Sequence, residues 1–238
     1  MNAPPLRYAA RTHVGRVRRL NEDSILPLPD IGVFVVADGM GGHEGGDFAS
    51  QTIVSRIATV LPGQDAAGLM RAVRDAILAA HREIAEEGAR RGTTMGSTVL
   101  ALILSERHFA CLWAGDSRLY LCRDGLVSQI SHDHSLVGEM VRAGRLRPEE
   151  AESHPNSNVI TRAVGVGEAL QLEKLRGETR PGDRFLLCSD GVSRYADEAA
   201  LARLLGNLSL ESVADALIER ALDGGGEDNA SVIVVEIG

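Results

Sequence analysis

Gly32-Val-Phe-Val-Val-Ala-Asp-Gly-Met-Gly-Gly-His43 is the stretch on which the reading of this chain turns. Val and Phe favour strands, so Gly32 to Ala37 reads as a buried strand. It ends on an acid, Asp38, and a glycine-rich turn. A carboxylate at the end of an apolar strand is costly to bury unless something compensates its charge. The pattern recurs along the chain. Arg184-Phe-Leu-Leu-Cys-Ser189 runs into Asp190-Gly191, and Asp228 stands just before Ser231-Val-Ile-Val-Val-Glu-Ile237. Asp116 lies in Ala114-Gly-Asp-Ser117, and Glu22 in Asn21-Glu-Asp23. Taken singly, each acid reads as a turn residue making Asx hydrogen bonds. If the strand ends meet, however, their carboxylates repel one another, and convergence implies cations. Carboxylates without His or Cys imply hard ones, Mg²⁺ or Mn²⁺.

Outward from that stretch, Tyr8 to His13 and Ser24 to Leu28 read as strands, with Pro27, Pro29 and Asp30 making the turn. Apolar residues at helical spacing predict helices over Gly45 to Leu61 and Leu69 to Arg90. A dense β region follows: Ser97 to Leu104, His108 to Ala114, Arg118 to Cys122 and Leu126 to Ile130, with Asp124-Gly125 as a hairpin signal. Strands return at Gln171 to Leu175 and Phe185 to Ser189. Glu211 to Leu222 reads as a helix before the final strand. Strands cluster and helices come in pairs without β-α alternation, so the expected class is α+β with largely antiparallel sheets. One domain over residues 1–238 is expected. The polar segment at about 132–164, with His132, His134, His154 and a short helix over Ser135 to Gly144, reads as a flap-like insertion.

Composition bounds the function. The chain has 238 residues, 44% hydrophobic, 24% charged and 3% aromatic, with a net charge of −8. These are ordinary values for a soluble globular protein. The acidic balance speaks against a nucleic-acid partner, which needs clustered Lys and Arg. Arg16, Arg18 and Arg19 form only a local group beside acids, suited to a small anion. Cys111, Cys122 and Cys188 each sit in a strand-like run and read as buried free thiols of a reducing cytosol. No apolar stretch reaches the length of a bilayer span and no secretory signal is read, so a cytoplasmic protein without membrane attachment is expected.

Gly39-Met-Gly-Gly-His-Glu-Gly-Gly46 could be taken for a phosphate-cradling loop. It lacks a Gly-Lys-Ser/Thr ending and G-x-G-x-x-G spacing, and Asp38 and Glu44 would repel phosphate. Glycines that let the backbone pass close to a metal, with the Gly39 carbonyl as a ligand, fit better.

Seven short motifs now occur in one order: Arg18-Arg-Leu-Asn-Glu-Asp23, Asp38-Gly-Met-Gly-Gly-His43, Gly96-Ser-Thr98, Ala114-Gly-Asp-Ser-Arg118, Asp133-His-Ser135, Ser189-Asp-Gly191 and Glu227-Asp-Asn229. Together they resemble the bacterial branch of the PPM (PP2C-like) metal-dependent Ser/Thr protein phosphatases, from about residue 8 to residue 237. The resemblance implies a central β-sandwich of two antiparallel sheets flanked by helices on both sides. It implies two Mn²⁺ or Mg²⁺ ions per chain and a third, weaker site. Residue by residue, it implies that Asp38 bridges both metals and Gly39 offers its carbonyl. Asp190 and Asp228 complete the first metal, Glu22 serves the second, and Asp116 shares the third with Asp190. Asp23 and Asn229 orient ligands and water. Arg18 grips the substrate phosphate with a bidentate fork.

The implied reaction is attack on phosphorus by a water activated between the two dications, with no phosphoenzyme. A Cys-x5-Arg nucleophile is set aside because Ser117 and Ser128 stand where Cys111 and Cys122 would need arginine. Eukaryotic members carry His directly after the Asp-Gly pair, where this chain has Met40. His43 is the candidate proton donor to the leaving oxygen, with a surface histidine as the plain alternative. The expected substrates are phosphoserine and phosphothreonine proteins, with a bacterial Ser/Thr kinase and its targets as partners and a monomer as the working form. A secretion-system regulator is one setting for so compact a member. Two other classes compete: a catalytically silent phosphoprotein-binding scaffold, whose signature would be lost ligand acids, and a phosphatase of a small metabolite.

Overall fold

The computed structural model describes residues 6–41, 45–151 and 154–238. Its strands are β1 (Leu6–His13), β2 (Asp23–Leu28), β3 (Val33–Gly41), β4 (Met95–Ser97), β5 (Val99–Ser105), β6 (His108–Ala114), β7 (Arg118–Arg123), β8 (Leu126–Gln129), β9 (Glu173–Glu178), β10 (Arg184–Cys188) and β11 (Ala230–Ile237). Its helices are α1 (Gly45–Ala58), α2 (Ala66–Arg91), α3 (Leu136–Arg142), α4 (Pro148–Ala151), α5 (Asp190–Ser193), α6 (Glu198–Asn207) and α7 (Leu210–Asp223). One sheet has the order β1-β11-β10-β7-β8. The other has β2-β3-β5-β6-β9, with β4 paired to β3, and every pairing is antiparallel.

The continuous apolar runs follow from burial on both faces. Along β3, Val33, Val35 and Ala37 pack with Ile53 and Ile57 of α1 and Val73 and Ile77 of α2. The alternate residues Phe34 and Val36 pack across to Phe185 and Leu187 of β10 and Ile233 and Val235 of β11. On the far side, Leu186, Val232 and Val234 meet Leu201 of α6 and Leu217 of α7. The layers are therefore helices, sheet, sheet, helices, the α+β sandwich expected above. Asp124 and Gly125, at φ 53° and 78°, make the tight β7–β8 hairpin that their dipeptide announced.

Some expectations shift. Pro27 lies inside β2 opposite Phe34 rather than in the turn, tolerated because β2 is an edge strand. The strand read at Gln171 to Leu175 is displaced to Glu173–Glu178, an edge strand whose charged residues hid its phase. The single run Ser97 to Leu104 divides into β4 and β5. The short α4 and α5 and the longer α6 were not read from sequence. In α6, the signal was Asp197, whose side chain caps the helix by accepting from Ala200 N–H at 2.7 Å.

The ring of Phe185 is fully buried and meets Phe109 edge-on, centroids 5.0 Å apart. Phe185→Ala is expected to cost about 3–5 kcal/mol in urea unfolding. Leu126→Ala, at a residue 74% exposed, should stay within about 0.5 kcal/mol.

Candidate metal centre

Strand ends from both sheets meet at one edge of the sandwich. The β2–β3 register sets Asp23 opposite Asp38. Beyond them β3 leaves the sheet and pairs through Gly39 to Gly41 with β4. From the other sheet, β10 ends on Cys188 with Asp190 opening α5, and β11 begins two residues after Asp228. The loop between β6 and β7 contributes Asp116, which is 7% exposed. The carboxyl of Asp38 is pushed well above the usual carboxylate range, first by burial and then by the charges of Asp23, Asp190, Asp116 and Asp228. Burial likewise lifts Asp23 and Asp116 to about 7 each, and it raises Asp190 against the pull of Arg194. Among the described residues, two buried carboxylate oxygens, Asp23 Oδ1 and Asp116 Oδ1, have no hydrogen-bond partner. Such orphans are costly in a folded protein.

Glu22 stands slightly apart. Its carboxylate receives backbone hydrogen bonds from Gly46 and Asp47 at the start of α1, and burial raises its pKa. Close approach explains the glycines here: a Cβ on Gly46 would lie 2.5 Å from Glu22 Oε1 and 2.7 Å from the Gly39 carbonyl carbon. A Cβ on Gly39 would fall 2.1 Å from the Gly46 carbonyl oxygen. The glycine loop thus lets the start of α1 lie directly against the end of β3. Of that loop, His43 falls outside the described residues.

Hydroxyl and amide groups hold the acids in place. Thr98 Oγ1 accepts from the Asp38 N–H at 2.9 Å, and Thr98 N–H donates to the Asp38 carbonyl at 2.8 Å. The same hydroxyl pairs with Ser117 Oγ, beside Asp116, at 2.8 Å. Ser189 Oγ donates to Asp23 Oδ2 at 2.8 Å while accepting from Ser231 N–H at 3.0 Å. Asn229 accepts from Glu22 N–H at 2.8 Å and donates to the carbonyls of Val14 and Leu20, both at 2.9 Å. It therefore pins the loop that bears Arg18 and Glu22. Asp23 and Asn229 were expected here from their motifs; for Thr98, Ser117 and Ser189 the sequence signal was a lone hydroxyl at the rim of an apolar run.

Arg18, half exposed, donates from Nη2 to Asp228 Oδ2 at 2.9 Å. The segment 132–164 lies beside Asp116 and Asp190, across a cleft of about 370 Å³ that Ser135, Ser157 and Asn158 also line. Its histidines divide. His134 is fully buried, not a solvent-exposed loop residue: it stacks on Trp113, and Nε2 lies 2.6 Å from Glu173 Oε2. His132 Nε2 sits at 2.6 Å from the same oxygen, so His132, His134 and Glu173 form a cluster separate from the acids. His134 Nδ1 accepts from the Gly115 N–H at 3.2 Å, which leaves the ring proton on Nε2 and denies that atom to a metal. Arg162, in the same segment, turns toward Glu173, 3.9 Å away.

The Cys-x5-Arg spacing, absent at Cys111 and Cys122, does occur at Cys188 and Arg194. Burial pushes the Cys188 thiol up to about 12, and it sits 1% exposed in β10. A thiol held protonated and out of reach is no nucleophile.

Asp23, Asp38, Asp116 and Asp190 protonate more readily folded than unfolded, so the cation-free fold loses stability as pH rises. After treatment with EDTA, Tm should be several degrees higher at about pH 6 than at about pH 8, and Asp38→Asn should flatten that slope. Added Mn²⁺ should raise Tm most at the higher pH. Equal pH slopes for wild type and variant would contradict the assignment.

The protein phosphatase 2C family profile matches residues 15–223. The serine/threonine protein phosphatase PstP of Mycobacterium tuberculosis is 37% identical over 98% of this chain, which spans 45% of that protein's length. The solved catalytic domain of PstP, in complex with two manganese ions, superposes with a TM-score of 0.85 at 38% identity over 97% of each chain. PppA, a key regulatory component of T6SS in Pseudomonas aeruginosa, superposes with a TM-score of 0.92 at 38% identity over 100% of both chains. With motifs, sandwich and acid cluster in agreement, the chain belongs to the protein phosphatase 2C family.

Proposed function

We propose that this chain is a metal-dependent protein-serine/threonine phosphatase acting as one catalytic domain. The observation that carries this reading is the crowding of Asp38 against Asp23, Asp116, Asp190 and Asp228, with the buried Asp23 and Asp116 each keeping a carboxylate oxygen unpartnered among the described residues. Repulsion on that scale in a low-dielectric site calls for cations. The oxygen-only donor set fits Mn²⁺ or Mg²⁺, two per chain. Asp38 would be common to both, the Gly39 carbonyl would add a ligand, Asp190 and Asp228 would hold one, and Glu22 would hold the other. Asp116 and Asp190 offer a third, weaker position. When bound, the cations lower the pKa of water and neutralise the phosphoryl oxygens.

The chain's own groups supply the rest. Arg18, half exposed at the rim, exchanges its bond to Asp228 for the substrate phosphate, where its planar fork grips two oxygens. Thr98 fixes the Asp38 backbone, Asp23 and Ser189 brace the strand ends, and Asn229 holds the Arg18–Glu22 loop. His43 is assigned the proton delivered to the leaving Ser or Thr oxygen. The segment 132–164 serves as the flap that shapes substrate choice.

An arginine open to solvent at the edge of a sandwich suits a phosphoprotein better than an enclosed metabolite. The full set of acids speaks against a silent scaffold. Among the described residues, no helix is long and apolar enough to cross a membrane. We place the chain in the cytoplasm as a monomer opposing a Ser/Thr kinase, with no nucleic-acid partner. The end-to-end likeness to PppA favours a secretion-system setting for that opposition.

Phosphate release from a phosphothreonine peptide should require Mn²⁺ and stop with EDTA. Asp38→Asn and Asp228→Asn should each lower kcat/KM by at least about 100-fold, and Arg18→Lys by about tenfold. Activity that survives EDTA or both Asp substitutions would sink the metal mechanism. A wild type inert toward every phosphopeptide would favour the scaffold.

A further inference from the structure

Asp190 opens α5, and Arg194 stands four residues on, at the end of that single turn. The spacing turns the guanidinium back on the carboxylate, so Arg194 Nη2 donates to Asp190 Oδ2. The backbone N–H of Arg194 donates to the Asp190 carbonyl at 3.1 Å, fixing the turn itself. The base beneath is anchored as well. Arg220 donates to the carbonyl of the next residue, Tyr195, whose ring packs so closely on Gly224 that a Cβ there would lie 2.2 Å away. The charge of Arg194 also reaches Asp116, which is 7% exposed and whose Oδ1 has no partner among the described residues. On the open side, the cleft of about 370 Å³ borders Asp116, Asp190 and Arg194.

Resting on the metal-centre reading above, we propose that Arg194 is a tethered cation that competes with the third divalent ion for Asp190. A guanidinium already compensates Asp190. A dication entering between Asp116 and Asp190 therefore meets a like charge and must break a charge-assisted hydrogen bond. The cleft gives the displaced side chain somewhere to go, toward Ser157 and Asn158. The chain thus works with two ions and takes a third only when Arg194 swings out. A purely structural role for the pair, holding one helical turn, would leave cation binding untouched, and the two roles are separable by experiment.

Mn²⁺ uptake, followed through the EPR signal of the free ion, gives the binding isotherm without any assay of activity. The wild type should take up two ions tightly and a third weakly. Arg194→Gln should tighten the third by about tenfold or more, give a smaller gain for the ion that Asp190 holds with Asp228 and leave the ion beside Glu22 unchanged, whereas Arg194→Lys, which keeps a cation, should stay within about threefold of wild type. Adding Asp116→Asn to Arg194→Gln should abolish the gain. Superimposable isotherms for wild type and Arg194→Gln, or equal tightening in the Gln and Lys variants, would overturn the proposal. A wild type that takes up no Mn²⁺ would instead overturn the metal-centre reading beneath it, so the two failures are told apart.

Discussion

Mutual repulsion among buried and half-buried carboxylates is the constraint on which the rest of this molecule depends. Asp38 follows the fully buried run 33–37 of β3 and faces four further aspartates across the sandwich edge. No arrangement of this kind is stable with every group ionised unless positive charge stands between them. The protein supplies part of it: Arg18 binds Asp228 and Arg194 binds Asp190. Among the described residues it leaves two buried carboxylate oxygens without a partner. The shortfall in positive charge is the structural statement of the site's chemistry.

The fold explains how so many acids come to one place. Two antiparallel sheets buried on both faces need apolar residues through the middle of their central strands, and β3 at 33–37 and β11 at 232–235 have them. Polar residues are then confined to strand ends, and face-to-face packing brings the ends of β3, β10 and β11 to one edge. Asp23 is set opposite Asp38 by a six-residue register that begins at Leu28 and Val33. Around the acids, Thr98, Ser117, Ser189 and Asn229 use backbone and hydroxyl bonds to fix positions without adding charge. Neutral supports of this kind hold carboxylates in place and leave their negative charge for a cation.

Much of this was visible in the sequence because it was written in local patterns. Apolar runs ending on Asp-Gly marked β3 and β10, and Asp124-Gly125 marked the β7–β8 hairpin. What stayed hidden depended on distant partners. His134 reads as a solvated loop histidine until Trp113 and Glu173 are seen to enclose it. β9 slid out of register because an edge strand can carry charges that break alternation. Arg194 gave no signal in the linear sequence other than its spacing from Asp190. That spacing matters only because Asp190 begins a turn of helix instead of ending a strand.

The central claim is that divalent cations sit between these carboxylates, and anomalous X-ray diffraction from crystals grown with Mn²⁺ tests it directly. Peaks are expected against Asp38, one shared toward Asp190 and Asp228 and one toward Glu22. Peaks confined to the His132–His134–Glu173 cluster, or an acid cluster that shows none at saturating Mn²⁺, would contradict the account.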